Sequence, residues 1–98
     1  MAVAEISVVP VGTDTASVSD YVAAAVRIAK ESGLKYELSS MATNLEGDVD
    51  SILEVFRKMH ESAFEGGAVR VLSSLKIDER RDKDLSIEGK KAAVKAKL

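Results

Sequence analysis

The chain has 98 residues, 46% hydrophobic and 31% charged, a usage that suits one globular domain spanning residues 1–98. Fourteen Lys and Arg against 16 Asp and Glu give a formal net charge of −2, which offers no long-range attraction to nucleic acid or to an anionic membrane. With no Cys and a single His, thiolate zinc sites, iron–sulfur clusters, Cys nucleophiles and His-rich metal centres are excluded, so neither a metal nor a cofactor is expected.

A chain of this size buries roughly two-thirds of the surface that its unfolded form exposes, an adequate core that self-association would strengthen. No apolar run reaches the ~20 residues of a membrane span. The segment Met1–Glu5 lacks the basic start and apolar stretch of a secretory signal. Together with the absence of disulfides, this makes a cytoplasmic location the expectation.

In chain order, Val3 to Val11 reads as a strand rich in Val and Ile, closed by Pro10 and Gly12. Its alternation sends Ile6 and Val8 one way and Glu5, Ser7 and Val9 the other. Ser17, with Asp20 three residues on, predicts a short capping box for a first helix. Val18, Val22, Ala25, Val26 and Ala29 form its apolar stripe through Glu31, and Gly33 closes it. Leu34 to Ser39 alternates as a second strand, turning near Ser40 and Met41 into a partner strand over Ala42 to Glu46.

Asp48 or Asp50 caps a second helix with the apolar face Val49, Ile52, Leu53, Phe56, Met59, Ala63 and Phe64, ended by Gly66 and Gly67. Ala68 to Asp78 is the last strand, with Val69, Val71, Ser73, Leu75 and Ile77 on one side. Arg70, Leu72, Ser74, Lys76 and Asp78 lie on the other. A charged loop, Glu79 to Asp84, leads to a helix capped by Ser86 that runs to Lys97 with lysines near its end, as the helix dipole favours. The order is β-α-β-β-α-β plus a tail helix. This is an α+β, ferredoxin-like sandwich: a four-stranded antiparallel sheet with two helices on one face and a C-terminal helix.

Two helices on one face leave the other for water, a ligand or a partner chain. The residues expected there are Glu5, Ser7, Val9, Glu37, Ser39, Leu72, Ser74 and Lys76, with Thr43 or Asn44 by register. The mixture of apolar groups and small hydroxyls is less charged than a face left in water. It fits a subunit interface, or a small-molecule pocket with a few polar groups in an apolar wall, and the two readings are compatible.

Other motifs carry less. Gly12-Thr13 follows a strand, but neither GxGxxG nor GxxxxGK[ST] is present, so a nucleotide loop is not expected. His60 lies beside Met59 and one turn from Phe56 and Phe64, with no legible nucleophile relay, which reads as structural. Alternating signs in the Glu79–Asp84 loop indicate a solvated, internally paired segment, although Arg80 or Arg81 would suit an anion. Of the aromatics Tyr21, Tyr36, Phe56 and Phe64, Tyr36 alone lies on a strand, pointing toward the helices, so RNA stacking is not expected. The arginine-bearing loop that acylphosphatases place after the first strand of this topology is missing, and no enzyme activity is expected.

Six segments then carry a resemblance: Glu5 through Thr13, Ser17 through Val22, Ser32 through Leu38, Met41-Ala42-Thr43, Glu46-Gly47-Asp48 and Lys76 through Lys83. In this order and spacing the chain resembles the small thiamine-binding protein family, along essentially its whole length. The resemblance implies the ferredoxin-like fold, a homo-oligomer (commonly a tetramer built from dimers), and binding of thiamine or its hydroxymethylpyrimidine part without an established reaction.

Thiamine joins a flat aminopyrimidine to a cationic thiazolium, so it suits hydroxyl or amide partners, an apolar wall and a carboxylate. By strand alternation, Ser7, Ser39, Thr43 and Asn44 are the candidate polar partners. Val9, Met41 and Leu72 are the candidate wall, and Glu37 or Glu46 the candidate partner of the cation. The competing expectations are a structural or regulatory homo-oligomer without a ligand, and an enzyme of unrecognised activity.

Overall fold

The first strand, β1 (Ala2–Pro10), is the axis of the molecule, and its burial alternates along its length. Ala2, Ala4, Ile6 and Val8 are buried, while Glu5 and Val9 are exposed and Val3 and Ser7 half-exposed. The computed structural model describes all residues from 1 to 98. Its elements follow as α1 (Ser19–Glu31), β2 (Lys35–Leu38), β3 (Thr43–Gly47), α2 (Val49–Glu65), β4 (Val71–Glu79) and α3 (Ile87–Lys95). The sheet has the order β2-β3-β1-β4, with every pairing antiparallel. This is the expected α+β, ferredoxin-like arrangement.

One face of the sheet carries α1 and α2. The core joins Ala2, Ala4, Ile6 and Val8 of β1 and Leu45 of β3 to Ala25 and Ala29 of α1 and Ile52, Val55, Met59 and Ala63 of α2. Tyr36 packs against this cluster from the helix side of β2, as its alternation predicts.

Local signals account for the boundaries. Asp48 caps α2, its Oδ2 accepting from the Ser51 amide at 3.0 Å, and Ser86 caps α3, its Oγ accepting from the Gly89 amide at 2.9 Å. Gly33, at φ 81°, supplies the left-handed residue after α1 that other side chains rarely adopt.

Three local expectations are corrected. Ser17 does not cap α1: the helix begins at Ser19, Val18 stands at the cap without a side-chain bond, and Ser17 is held outside, its amide donating to Thr15 Oγ1 at 3.2 Å. The buried face of α2 is rotated from the expected stripe, because Val55 is buried while Leu53 and Phe64 are 44% and 39% exposed. The last helix ends at Lys95 rather than Lys97.

The tail helix changes the second face of the sheet. The Ile87 amide donates to Glu46 Oε1 at 2.9 Å, Lys91 Nζ bonds Glu37 Oε2 at 2.9 Å, and Lys90 pairs with Asp78. Those three carboxylates stand on the face opposite α1 and α2, so α3 covers one end of it. Leu85 and Ile87 are buried there, outside the main core. The face expected to be open is open only at its other end.

Candidate functional site

The strands differ in length, and the difference makes a cavity. β1 pairs with β3 from Ala2↔Gly47 to Ile6↔Thr43, whereas its pairing with β4 continues to Pro10↔Val71. Beyond Ile6, β3 gives way to the turn that joins β2 to β3. That turn is closed by Ser39, whose amide and hydroxyl both donate to the Ala42 carbonyl, at 2.9 and 2.8 Å.

Between this turn and the overhang of β1 lies a pocket of about 240 Å³. Ile6, Ser7, Val8 and Val9 form one wall, Leu38 to Thr43 another, and Val18, Val22, Ala25 and Met59 close it from the helix side. Its size falls just below the ~300–1,000 Å³ of sites for drug-sized ligands, which suits one substituted ring. No wall residue carries an ionisable side chain.

The structure brings together Ser7, Val9, Ser39, Met41 and Thr43, all of which line the pocket. Met41 stands at the tip of the turn, 86% exposed, where an adaptable thioether can close over an occupant. Thr43 lies on the helix side of β3, whereas Asn44 occupies the opposite face. Asn44 lies in a row across the sheet with Glu37, Glu5 and Lys76. Glu46 belongs to the next row and caps α3, and Glu37 is paired with Lys91. Leu72 pairs with Val9 across β1 and β4 and is 68% exposed.

Glu37, Asn44, Glu46 and Leu72 are not part of the pocket wall. Hydrogen bonding and the charge of Glu37, helped by Glu88, raise the Lys91 ammonium above its ordinary value. Of the carboxylates on this face, Glu5 alone has neither an ion pair nor a hydrogen bond, since Asp78 is held by Lys90.

The pocket also has a helix-side wall from Val18, Val22, Ala25 and Met59 that local sequence pattern does not mark as part of a site. Its apolar residues carry the same helical spacing as a core stripe, so nothing local separates cavity wall from core. The usable signal is the mismatch of strand lengths, nine residues for β1 against five for β3, which forces an overhang. His60 takes the structural role expected of it, with Nδ1 sharing a hydrogen bond of 2.7 Å with Ser73 Oγ and its ring edge-on to Phe64 at 5.3 Å.

Residues 4–95 match the model of a family described as thiamine-binding protein. The chain belongs to the thiamine-binding protein family. A UPF0045 protein of Methanothermobacter thermautotrophicus is 43% identical, the alignment covering 100% of both chains. The UPF0045 protein YqgV of Bacillus subtilis is 38% identical over 100% of this chain and 98% of its own.

Among solved structures, that of a hypothetical protein of Methanocaldococcus jannaschii superposes with a TM-score of 0.89 at 47% identity, covering 96% of this chain and 95% of the other. A Thermotoga maritima protein, named as a candidate for thiamine biosynthesis or salvage, superposes with a TM-score of 0.81 at 25% identity over 95% and 97%. The family is named for binding rather than for a reaction. No helix of this family member is long and apolar enough to cross a membrane.

Proposed function

We propose that this protein is a cytoplasmic, non-enzymatic binder of thiamine or of its hydroxymethylpyrimidine part, acting as a carrier, buffer or sensor. The observation that carries the reading is the family match over residues 4–95, joined to an apolar, ring-sized pocket lined by Ser7, Ser39, Met41 and Thr43. A wall free of ionisable groups supports binding without acid–base chemistry. The neutral pyrimidine suits this wall. The cationic thiazolium is then left at the mouth, where Glu5 stands two residues from Ser7 on the same face, roughly 7 Å along the strand.

The second part of the reading is self-association to a dimer and on to a tetramer. Val9 and Leu72 stand side by side at the uncovered end of the sheet, 38% and 68% exposed, and supply apolar surface for a second copy.

Thermal unfolding with and without thiamine, hydroxymethylpyrimidine and thiamine phosphates tests the binding. A ligand at 100 times its Kd adds about 2.7 kcal/mol to the native state. Each kcal/mol moves the midpoint of a domain this size by roughly 4–8 °C, less where an oligomer melts as one unit. A clear rise with thiamine or its pyrimidine, absent with unrelated cations, is the expected outcome. No shift at millimolar concentrations would overturn the proposal and leave a structural oligomer as the better account.

A further inference from the structure

Backbone pairing alternates along β1, and two independent hydrogen bonds fix its phase. The Val11 amide donates to the Arg70 carbonyl at 2.8 Å, so odd-numbered residues of β1 direct their N–H and C=O toward β4. The Ser39 amide bonds the Ala42 carbonyl at 2.9 Å, so Thr43, Leu45 and Gly47 turn theirs toward β1, meeting Ile6, Ala4 and Ala2. The next position in that series is Val8, and β3 has already ended. No backbone hydrogen bond joins Val8 to the turn. Its N–H and C=O, side by side, therefore face the pocket that Val8 lines.

Beside them is a second unmatched group. Thr43 is 4% exposed, lines the same pocket, and its hydroxyl has no hydrogen-bond partner in the chain. The other buried polar side chain, Ser62, is satisfied by the Met59 carbonyl at 2.6 Å. No side-chain oxygen sealed from the surroundings lacks a partner, so the Thr43 hydroxyl opens into the pocket. Buried polar groups are ordinarily hydrogen-bonded, and an open pair at an apolar pocket is a recognition element awaiting a ligand.

We infer that the free edge of β1 at Val8, with Thr43, recognises a flat heteroaromatic ring bearing an amino group next to a ring nitrogen. Such an edge presents an acceptor and a donor at the spacing of one residue's N–H and C=O: the ring nitrogen accepts from Val8 N–H and the amino group donates to Val8 C=O. The ring then lies in the plane of the sheet, in the slot that a longer β3 would fill. A peptide strand is a poor occupant, because the next residue of the same phase is Pro10, which has no N–H to extend the ladder.

This inference rests on the thiamine reading and names its determinant, the amidine-like edge of the aminopyrimidine. Replacing the amino group by an oxo group inverts both functions, setting donor against donor and acceptor against acceptor. Sites built to hydrogen-bond a group reject analogues that lack it by large factors.

The test compares thiamine and hydroxymethylpyrimidine with their 4-oxo counterparts by calorimetry, and follows the Val8 amide by hydrogen exchange in the full-length protein. The expected result is at least a 100-fold loss of affinity for the oxo compounds. The Val8 amide should exchange fast in the free protein and slow down when hydroxymethylpyrimidine binds. Thr43→Val, which removes the hydroxyl at nearly constant shape, should weaken the aminopyrimidine about 10-fold with little change in the unfolding midpoint. Equal affinity for amino and oxo compounds, or a Val8 amide unchanged by ligand, would overturn the inference and leave thiamine binding standing. Failure of every pyrimidine to bind would overturn both.

Discussion

Glu37 on the edge strand and Lys91 on the tail helix are joined by a bond of 2.9 Å between residues 54 positions apart, which fastens the C-terminal segment across the sheet. Beside it, the Glu46 carboxylate accepts the first amide of the same helix. A charged group at a helix N-terminus offsets both an orphan donor and the positive end of the dipole. Two acidic residues that alternation alone offers to a cation are thereby used inside the fold.

Removing these contacts should release α3 locally rather than unfold the domain. Lys91→Ala and Glu46→Ala should each speed amide exchange in Ile87–Lys95 while leaving exchange in β1 and α2 unchanged. The Lys91 effect should shrink in high salt, because the pair is partly exposed. The pH dependence follows from the sign of the shift. Glu37 raises the Lys91 ammonium above its ordinary 10.5, so its stabilisation is complete below that pH and is lost as pH climbs through the folded value. Wild type and Lys91→Ala should therefore converge in strong alkali.

Asp48 provides the opposite sign. Its carboxylate takes both the hydroxyl and the amide of Ser51, which hold it below the ordinary 3.8. The stabilisation is present above pH 3.8 and disappears as pH falls through the lower folded value. Asp48→Asn retains a neutral cap without this titration. The melting midpoint of wild type should exceed that of Asp48→Asn near neutrality, and the gap should close in acid below about pH 4. A gap that stays constant down to pH 2 would count against the cap as its source.

The oligomer reading predicts a specific weak point. Leu72, exposed beside Val9 on the uncovered end of the sheet, should tolerate a charge in the monomer, since it contributes nothing to the core. Leu72→Asp should lower the mass seen by sedimentation without loss of secondary structure. An unchanged mass in an oligomeric wild type would move the interface elsewhere, and a monomeric wild type would overturn the self-association.

The fold was legible because its signals are local and agree with one another. Alternation in β1 and β4, the Gly33 stop, the Asp48 and Ser86 caps and the Gly66-Gly67 ending each follow from one or two residues. What local pattern did not show is what depends on distant partners. Nothing in Ile87 through Lys95 announces that Lys91 will reach Glu37, so local pattern yields a tail helix without a position on the sheet. Ser17 has the right chemistry for a cap, yet its hydroxyl meets Ser19 Oγ at 3.5 Å and not a helix amide.

The site divides in the same way. Ser7, Val9, Ser39 and Met41 follow from alternation and the turn, whereas Thr43 reaches the pocket from the helix side of the sheet and Val18, Val22 and Met59 enter through tertiary packing. The open edge at Val8 is a backbone property, invisible to any inventory of side-chain chemistry.

The helix-side wall offers a direct test of where the ligand sits. Val22 is half-buried on α1 and lines the pocket, so a larger apolar side chain there can turn into existing space instead of displacing the core. Filling a cavity commonly leaves stability unchanged or raises it, because the new side chain gains contacts that the empty lining lacks. Val22→Phe should therefore fold with an unfolding midpoint at or above that of wild type, and lose most of the shift produced by hydroxymethylpyrimidine. Val94→Phe, exposed on the tail helix and not part of the pocket wall, should retain the shift. If Val22→Phe folds normally and still responds in full, the ligand lies outside this pocket, and the uncovered sheet face around Leu72 becomes the place to search.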